Sequence, residues 1–263
     1  MKPWVEQAHT PFYITNATII DPSKGELKSG LHAIRVEKGV ITSVELQNEA
    51  VLEDSLNQVD ARGRYICPGL IDAHVHVCAV PGVSVSVSFT KQRTILIGQT
   101  MGDMIRLNNQ VVTLRSTYIL KGMLRRGFTT VRDTGGATKF IANALAEGLI
   151  EGPRLFQCGK ALSQTGGHGD LLPGQSGGDG TGCCGGSHAA YGRTADGVPA
   201  CLKAVREELK QGADFIKIML GGGVSSETDA IDTVQYTSEE VKAITTTASQ
   251  MGKKMVSVSM YVV

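Results

Sequence analysis

Residues 70–77 read Leu-Ile-Asp-Ala-His-Val-His-Val, placing two imidazoles two positions apart in an apolar stretch. In a strand, residues i and i+2 project from one face. His74 and His76 then stand side by side at a strand end, a donor pair that suits a first-row metal such as zinc. The same spacing also fits two exposed or core histidines on an edge strand. Lys217 sits in Ala213-Asp214-Phe215-Ile216-Lys217-Ile218-Met219-Leu220, ahead of three glycines. An ammonium in a strand buried on both faces is costly. Such a lysine snorkels, pairs with an anion, or loses its charge. A neutral lysine can take up carbon dioxide as a carbamate, an anionic two-oxygen ligand able to bridge two metals. His168, in Gly166-Gly167-His168-Gly169-Asp170, lies where glycines allow close backbone approach to a ligand. It reads as a substrate contact or as part of a surface loop. Asp133 closes a strand and reads as a support for a ligand or a helix cap.

Weaker signals carry less. Gly180-Thr181-Gly182-Cys183-Cys184-Gly185 matches a dinucleotide fingerprint but follows no strand. Cys183 and Cys184 lack metal-finger spacing and read as free thiols. Asn16-Ala17-Thr18 is a formal glycosylation sequon inside a strand pattern.

The elements that must position these residues change character along the chain. Residues 12–20 alternate, and 32–46 read as two strands about a Lys38-Gly39 turn. Residues 1–66 look like the N-terminal part of a small β-sandwich. From 67 to 263 strands alternate with helices. Strands are expected at 69–77, 128–133, 153–159, 213–220 and 255–263. Helices are expected at 108–126, 139–149, 198–211 and 238–250. In the first helix Val111, Leu114, Tyr118 and Leu124 form the apolar side. Residues 163–197 read as one long Gly-rich loop. Strands joined by helical crossovers make a parallel α/β sheet or barrel. About five such units stand here against the eight of a closed barrel.

Composition excludes several classes. The 263 residues carry Lys+Arg 26 against Asp+Glu 25, and aromatics are 5%. With no basic excess, a nucleic-acid surface is not expected. No apolar run reaches the roughly 18–20 residues that span a bilayer, so no membrane segment is expected. The first thirteen residues show no apolar signal core. The six cysteines are irregularly spaced and do not read as a disulfide framework. Both point to a cytoplasmic location.

The runs CPGLIDAHVHV, RRGFTTVRDTGG, SQTGGHGD and GADFIKIMLGGG, in that order, resemble the metal-dependent amidohydrolase superfamily. The nearest branch holds imidazolonepropionase-like proteins, aminoacyl-proline and aminoacyl-arginine dipeptidases, and the fungal ochratoxin amidase. The resemblance implies a partial (β/α)8 TIM-type barrel with part of a composite β-sandwich. It implies His74 and His76 as ligands from the first barrel strand, and Lys217 as a carbamylated bridge between two zinc ions. His168 becomes a substrate-binding residue. The implied activity is metal-dependent hydrolysis of C–N bonds in small-molecule amides or dipeptides by a zinc-activated hydroxide, in a protein that can form a homo-oligomer.

The family's fifth-strand histidine is expected near Val258 or Ser259 and is not found there. The sixth-strand histidine and the eighth-strand aspartate, the family's proton shuttle, would lie beyond Val263, so no catalytic acid–base residue is assigned. The expectation is therefore a truncated form, inactive alone, unstable and poor in metal. Two alternatives remain: a non-catalytic fragment acting by association with another chain, and an α/β module binding a nucleotide through its Gly-rich loop.

Overall fold

The computed structural model describes residues 10–80, 108–170, 191–223 and 229–258, with side chains described as far as Lys254. The chain divides into two compact units, Met1–Gly69 and Leu70–Val263.

The first unit is one mixed sheet of six strands. β1 (Phe12–Asp21) is its spine, beside β2 (Glu26–Leu27), β3 (His32–Glu37), β4 (Val40–Leu46), β5 (Asn57–Asp60) and β6 (Tyr65–Ile66). The order is β2-β1-β3-β4, with β5 and β6 each parallel to β1. Tyr13, Thr15 and Ala17 point inward in the period-2 pattern that the sequence shows. Lys38 and Gly39 both take positive φ, 49° and 77°. That matches the turn that joins two twisted strands tightly. β5 and β6 were not expected, because β5 is short and polar and β6 is only two residues long. Asn16, at φ 54°, sits at a register shift in β1, and its Nδ2 donates to Asp60 Oδ1 at 2.9 Å. The nitrogen that a glycan would use is thus tied to β5. Ile19, Ile20, Ile34, Ile41, Val44 and Ile66 line an open apolar cleft on this sheet.

The second unit has mixed α/β architecture with parallel strands. Its order is β7 (Leu70–Val75), α1 (Asn109–Arg125), β8 (Phe128–Asp133), α2 (Lys139–Ala146), β9 (Arg154–Gln157), β10 (Ala161–Ser163), β11 (Gly192–Thr194), α3 (Val198–Lys210), β12 (Ile216–Met219), α4 (Ser238–Gln250) and β13 (Met255–Val258). One sheet runs β7-β8-β9 and a second runs β11-β10-β12-β13. Two buried clusters back them. Val131 of β8 and Leu155 of β9 pack with Val112, Leu120 and Met123 of α1 and Ile141 of α2. Leu162, Ile216 and Ile218 pack with Cys201 and Val205 of α3 and Ile244 of α4. α4 opens on a complete capping box of Thr237 and Glu240.

Three expectations need correction. The buried side of α1 is Val112, Ser116, Leu120 and Met123, whereas Leu114 and Tyr118 are exposed. Ser116 disguises that stripe: its hydroxyl donates to the Thr113 carbonyl at 2.7 Å, so a polar residue fits a buried face. The long loop is interrupted by β11, which pairs in parallel with β10 from Ala161↔Gly192 to Ser163↔Thr194. Three residues beginning with glycine are too short a strand signal to read. The strand expected at 153–159 is broken after Gln157, and the chain resumes as β10 to pair with a different neighbour. The break contains Gly159 at φ 66°, where an added Cβ would overlap the Glu208 carboxylate.

Side chains stitch the gap that this break leaves between β9 and β12. The Gln157 backbone N–H donates to Asp214 Oδ2 at 3.1 Å, and the Asp214 N–H donates back to the Gln157 carbonyl at 2.8 Å. Gln157 Nε2 donates to the Gly212 carbonyl at 2.9 Å, while its Oε1 accepts from the Gly159 N–H at 2.7 Å. The Gln157 side chain is buried. Gln157→Leu strands a buried donor and a carbonyl, and is expected to cost about 2–4 kcal/mol. Urea denaturation of the two proteins measures it.

Candidate functional site

β7 delivers His74 as its penultimate residue and His76 one position past its end. Their ring centroids lie 5.7 Å apart with planes inclined at 66°. His76 Nδ1 is 3.0 Å from the Gly135 carbonyl oxygen. A proton on Nδ1 donates to that carbonyl and leaves the Nε2 lone pair free for another partner. Metal-ligating imidazoles are commonly held in this way.

Gly135 is itself held by Asp133. The Asp133 carboxylate accepts from the N–H groups of Val77 (2.7 Å), Gly135 (3.0 Å) and Ala137 (3.1 Å). It is fully buried, and burial pushes its carboxyl up to about 6 against the pull of those amides. The helix-cap alternative for Asp133 falls away, because Thr138 occupies the N-cap of α2. Asp133 fixes the turn that orients His76.

Lys217 lies mid-strand in β12 at 1% exposure. It does not snorkel. Among the described residues its ammonium has no hydrogen bond or ion pair. Burial lowers its pKa to about 8. The His74 pKa is also lowered, first by burial and then by the charge of Lys217. The two groups therefore sit within each other's field, and each favours the other's neutral form. Arg132 adds positive charge here. Its Nε donates to the Ala73 carbonyl at 2.7 Å, and its guanidinium lies 5.6 Å from the Phe215 ring centre.

His168 belongs to a second group, past the C-terminal ends of β10 and β12. Its backbone N–H donates to Gln235 Oε1 at 3.3 Å, and its Nδ1 lies 3.4 Å from Asp229 Oδ2. The Gly169 N–H donates to Ser163 Oγ at 3.0 Å. Asp229, Gln235 and Ser163 escaped the sequence reading, since nothing local marks them. Only the glycine run 221–223 beside them stood out.

Two imidazoles and a buried lysine fit the start of a metal centre, with Lys217 able to join as neutral amine or carbamate. Among the described residues, no three His, Cys, Asp or Glu side chains form a cage. Ser259, and the run 180–185 with Cys183 and Cys184, lie outside the described residues, as does the Val258 side chain. No described helix is long and apolar enough to cross a membrane.

The Lys217 shift carries a pH signature. A lysine whose folded pKa lies near 8, below its usual 10.5, destabilises the fold most below pH 8. The penalty fades as pH rises from 8 towards 10.5, where the unfolded chain loses its proton as well. Lys217→Met is expected to raise the stability of the metal-free chain by about 2–3 kcal/mol at neutral pH, with the gain shrinking at alkaline pH. Thermal melts of both proteins across that range check it.

A family model described as "Amidohydrolase family" matches residues 65–261. Ochratoxinase of Aspergillus niger is 37% identical over 139 residues, which are 49% of this chain and 28% of that protein. Among solved structures, an amidohydrolase is 40% identical with TM-score 0.79, covering 94% of this chain and 56% of that one. A prolidase complexed with N-methylphosphonate-L-proline is 36% identical with TM-score 0.80, at 94% and 56% coverage. The A. niger ochratoxinase structure is 26% identical with TM-score 0.73, at 94% and 55%. The chain thus spans little more than half of the solved structures that it matches. With the family's pattern running through most of its length, the chain belongs to the amidohydrolase family.

Proposed function

We propose that this chain carries part of a metal-dependent hydrolase acting on C–N bonds of small amides or dipeptides. The observation that carries the reading is the pairing of an oriented imidazole with a buried lysine. His76 is held through Nδ1 by Gly135, beside His74, and Lys217 is buried without an ion pair or hydrogen bond among the described residues. The relatives named ochratoxinase and prolidase support the bond class.

In this reading β7, β8, the broken β9–β10 strand, β12 and β13 are the first strands of a (β/α)8 barrel. Residues 1–66 are part of a β-sandwich whose apolar cleft a further sheet would cover. His74, His76 and Lys217 would hold a zinc pair together with further ligands. Bound there, zinc supplies Lewis acidity and an activated water. The lowered Lys217 pKa leaves a fraction of neutral amine. That nitrogen adds to the carbon of carbon dioxide and releases a proton, giving a carbamate with two ligand oxygens. This would exchange a buried cation for an anionic ligand group that could help to hold the metal. Asp133 holds the Gly135 carbonyl against His76, so the Nε2 lone pair stays presented. His168 contacts the substrate.

A second reading, a non-catalytic form acting by association, is favoured by Leu70 and Ile71 of β7. They are 47% and 70% exposed on a strand whose outer edge has no partner among the described residues. Failure to co-elute with a full-length family member on size exclusion would remove it.

The test measures zinc content and hydrolysis of Xaa-Pro dipeptides and ochratoxin. It compares this chain with the longest natural form of the protein, each with its Lys217→Ala variant. This chain is expected to hold less than a full zinc pair and to show no turnover. The longest form is expected to turn over, and to lose at least about 100-fold with the variant. Unchanged turnover in Lys217→Ala would sink the assignment of Lys217.

A further inference from the structure

We infer that Tyr191 is a positioning residue for His76. It braces the Gly135–Gly136 peptide, whose carbonyl sets the imidazole tautomer. The inference rests on the reading of His76 as a metal ligand and names what holds that ligand in its presenting form.

The peptide between Gly135 and Gly136 has a partner on each side. Its carbonyl faces His76 Nδ1 at 3.0 Å, and its N–H donates to the Gly159 carbonyl at 2.9 Å. A carbonyl oxygen only accepts, so His76 Nδ1 carries the proton and Nε2 is the ring's acceptor. Were the peptide turned over, an N–H would face Nδ1 instead, and the proton would sit on Nε2. The tautomer of the ring therefore follows the direction of one peptide plane.

Little within the turn itself holds that plane. Both flanking residues are glycines, for which either direction is sterically open. Asp133 grips the amides of Gly135 and Ala137, and neither belongs to this peptide. The brace is Tyr191, which is buried and stands just before β11. Its carbonyl oxygen lies 2.7 Å from the Cβ position of Gly135, and its ring 3.0 Å from that of Gly136. Both glycines thus press on this one residue. The ring also meets His76 directly, edge to face, with centroids 6.1 Å apart and planes inclined at 71°. Tyr191 is anchored at both ends. Its carbonyl accepts from the Ala161 N–H at 2.9 Å, and its hydroxyl donates to the Cys78 carbonyl, two residues past His76. The ring is clamped between β10 and the segment after β7, with the peptide and the imidazole against it.

The test is histidine tautomer assignment by long-range proton–nitrogen NMR on the 15N-histidine-labelled chain, without metal, at a pH where the rings are neutral. The His76 signals are those lost in His76→Gln. The unsubstituted chain is expected to show an Nδ1–H imidazole at His76. Tyr191→Leu removes the ring, and the pattern is expected to shift to Nε2–H or to a mixture. Tyr191→Met makes the same test where the leucine variant does not fold. Tyr191→Phe keeps the ring and is expected to keep the pattern. Unmoved His168 signals show that the second unit stays folded. An Nε2–H tautomer in the unsubstituted chain overturns the inference without any variant. So does an unchanged pattern in a folded Tyr191→Leu or Tyr191→Met protein, or its loss in a folded Tyr191→Phe protein. Expected tautomers together with no zinc bound by the longest natural form would count against the metal reading alone. The wrong tautomer would count against Tyr191 alone.

Discussion

Three backbone amides converge on one buried carboxylate, and the geometry of the candidate site depends on that convergence. Asp133 ends β8 in register with Val75 of β7. It gathers the N–H groups of Val77, Gly135 and Ala137. The chain after β7 and the turn after β8 are thereby locked to one another. The Gly135 carbonyl reaches His76 only because that turn is locked. The turn in turn needs a glycine at 136, where φ is 109° and the Tyr191 ring stands 3.0 Å from any Cβ position. A single residue thus couples strand register, turn conformation and imidazole orientation. Because the acceptor is a carboxyl group shielded from water, each of its hydrogen bonds is strengthened by the low local dielectric.

The electrostatics of the second unit are unbalanced around β12. Lys217, Arg132 and the two imidazoles are gathered, and among the described residues no acidic side chain forms an ion pair with the lysine, for which the only carboxylate charge felt is that of Asp133. Folding brings a cation into an apolar strand at a cost, and the hydrophobic packing of Ile216 and Ile218 against α3 and α4 must offset it. A sequence selected for stability alone would place a leucine or methionine at that position. In the proposed reading, the lysine stands there for its chemistry at the cost of stability.

The broad architecture was legible because it rests on local periodicity. The strand pattern of 12–20, the Lys38-Gly39 turn and the four described helices of the second unit follow from alternation, turn chemistry and caps. The His74-Val75-His76 spacing and the lone lysine in an apolar strand were visible for the same reason. What was hidden depends on residues distant in sequence. The buried stripe of α1 passes through Ser116, which hydropathy assigns to the outside. The break between β9 and β10 is packed against Glu208, on a helix far along the chain, which leaves room only for a glycine at 159. Asp229 and Gln235 reach His168 across the sheet from a segment with no periodic pattern. Asp133 was seen, but its role was not, since only the fold reveals which amides surround it.

The seam between β9 and β12 has a consequence for how substitutions are tolerated. A hydrogen-bonded ladder is made by the main chain, so most residues can change without breaking it. At Gln157 and Asp214 the ladder is replaced by side-chain groups. Gln157 must present a donor to Gly212 and an acceptor to Gly159 at the same time, a pairing that a carboxylate or an apolar side chain cannot supply. Amino-acid identity is thus free along the strands and restricted at the join between them. In a diverging lineage this join would be expected to change slowest of all the sheet positions outside the site, and only through coordinated replacement of both partners.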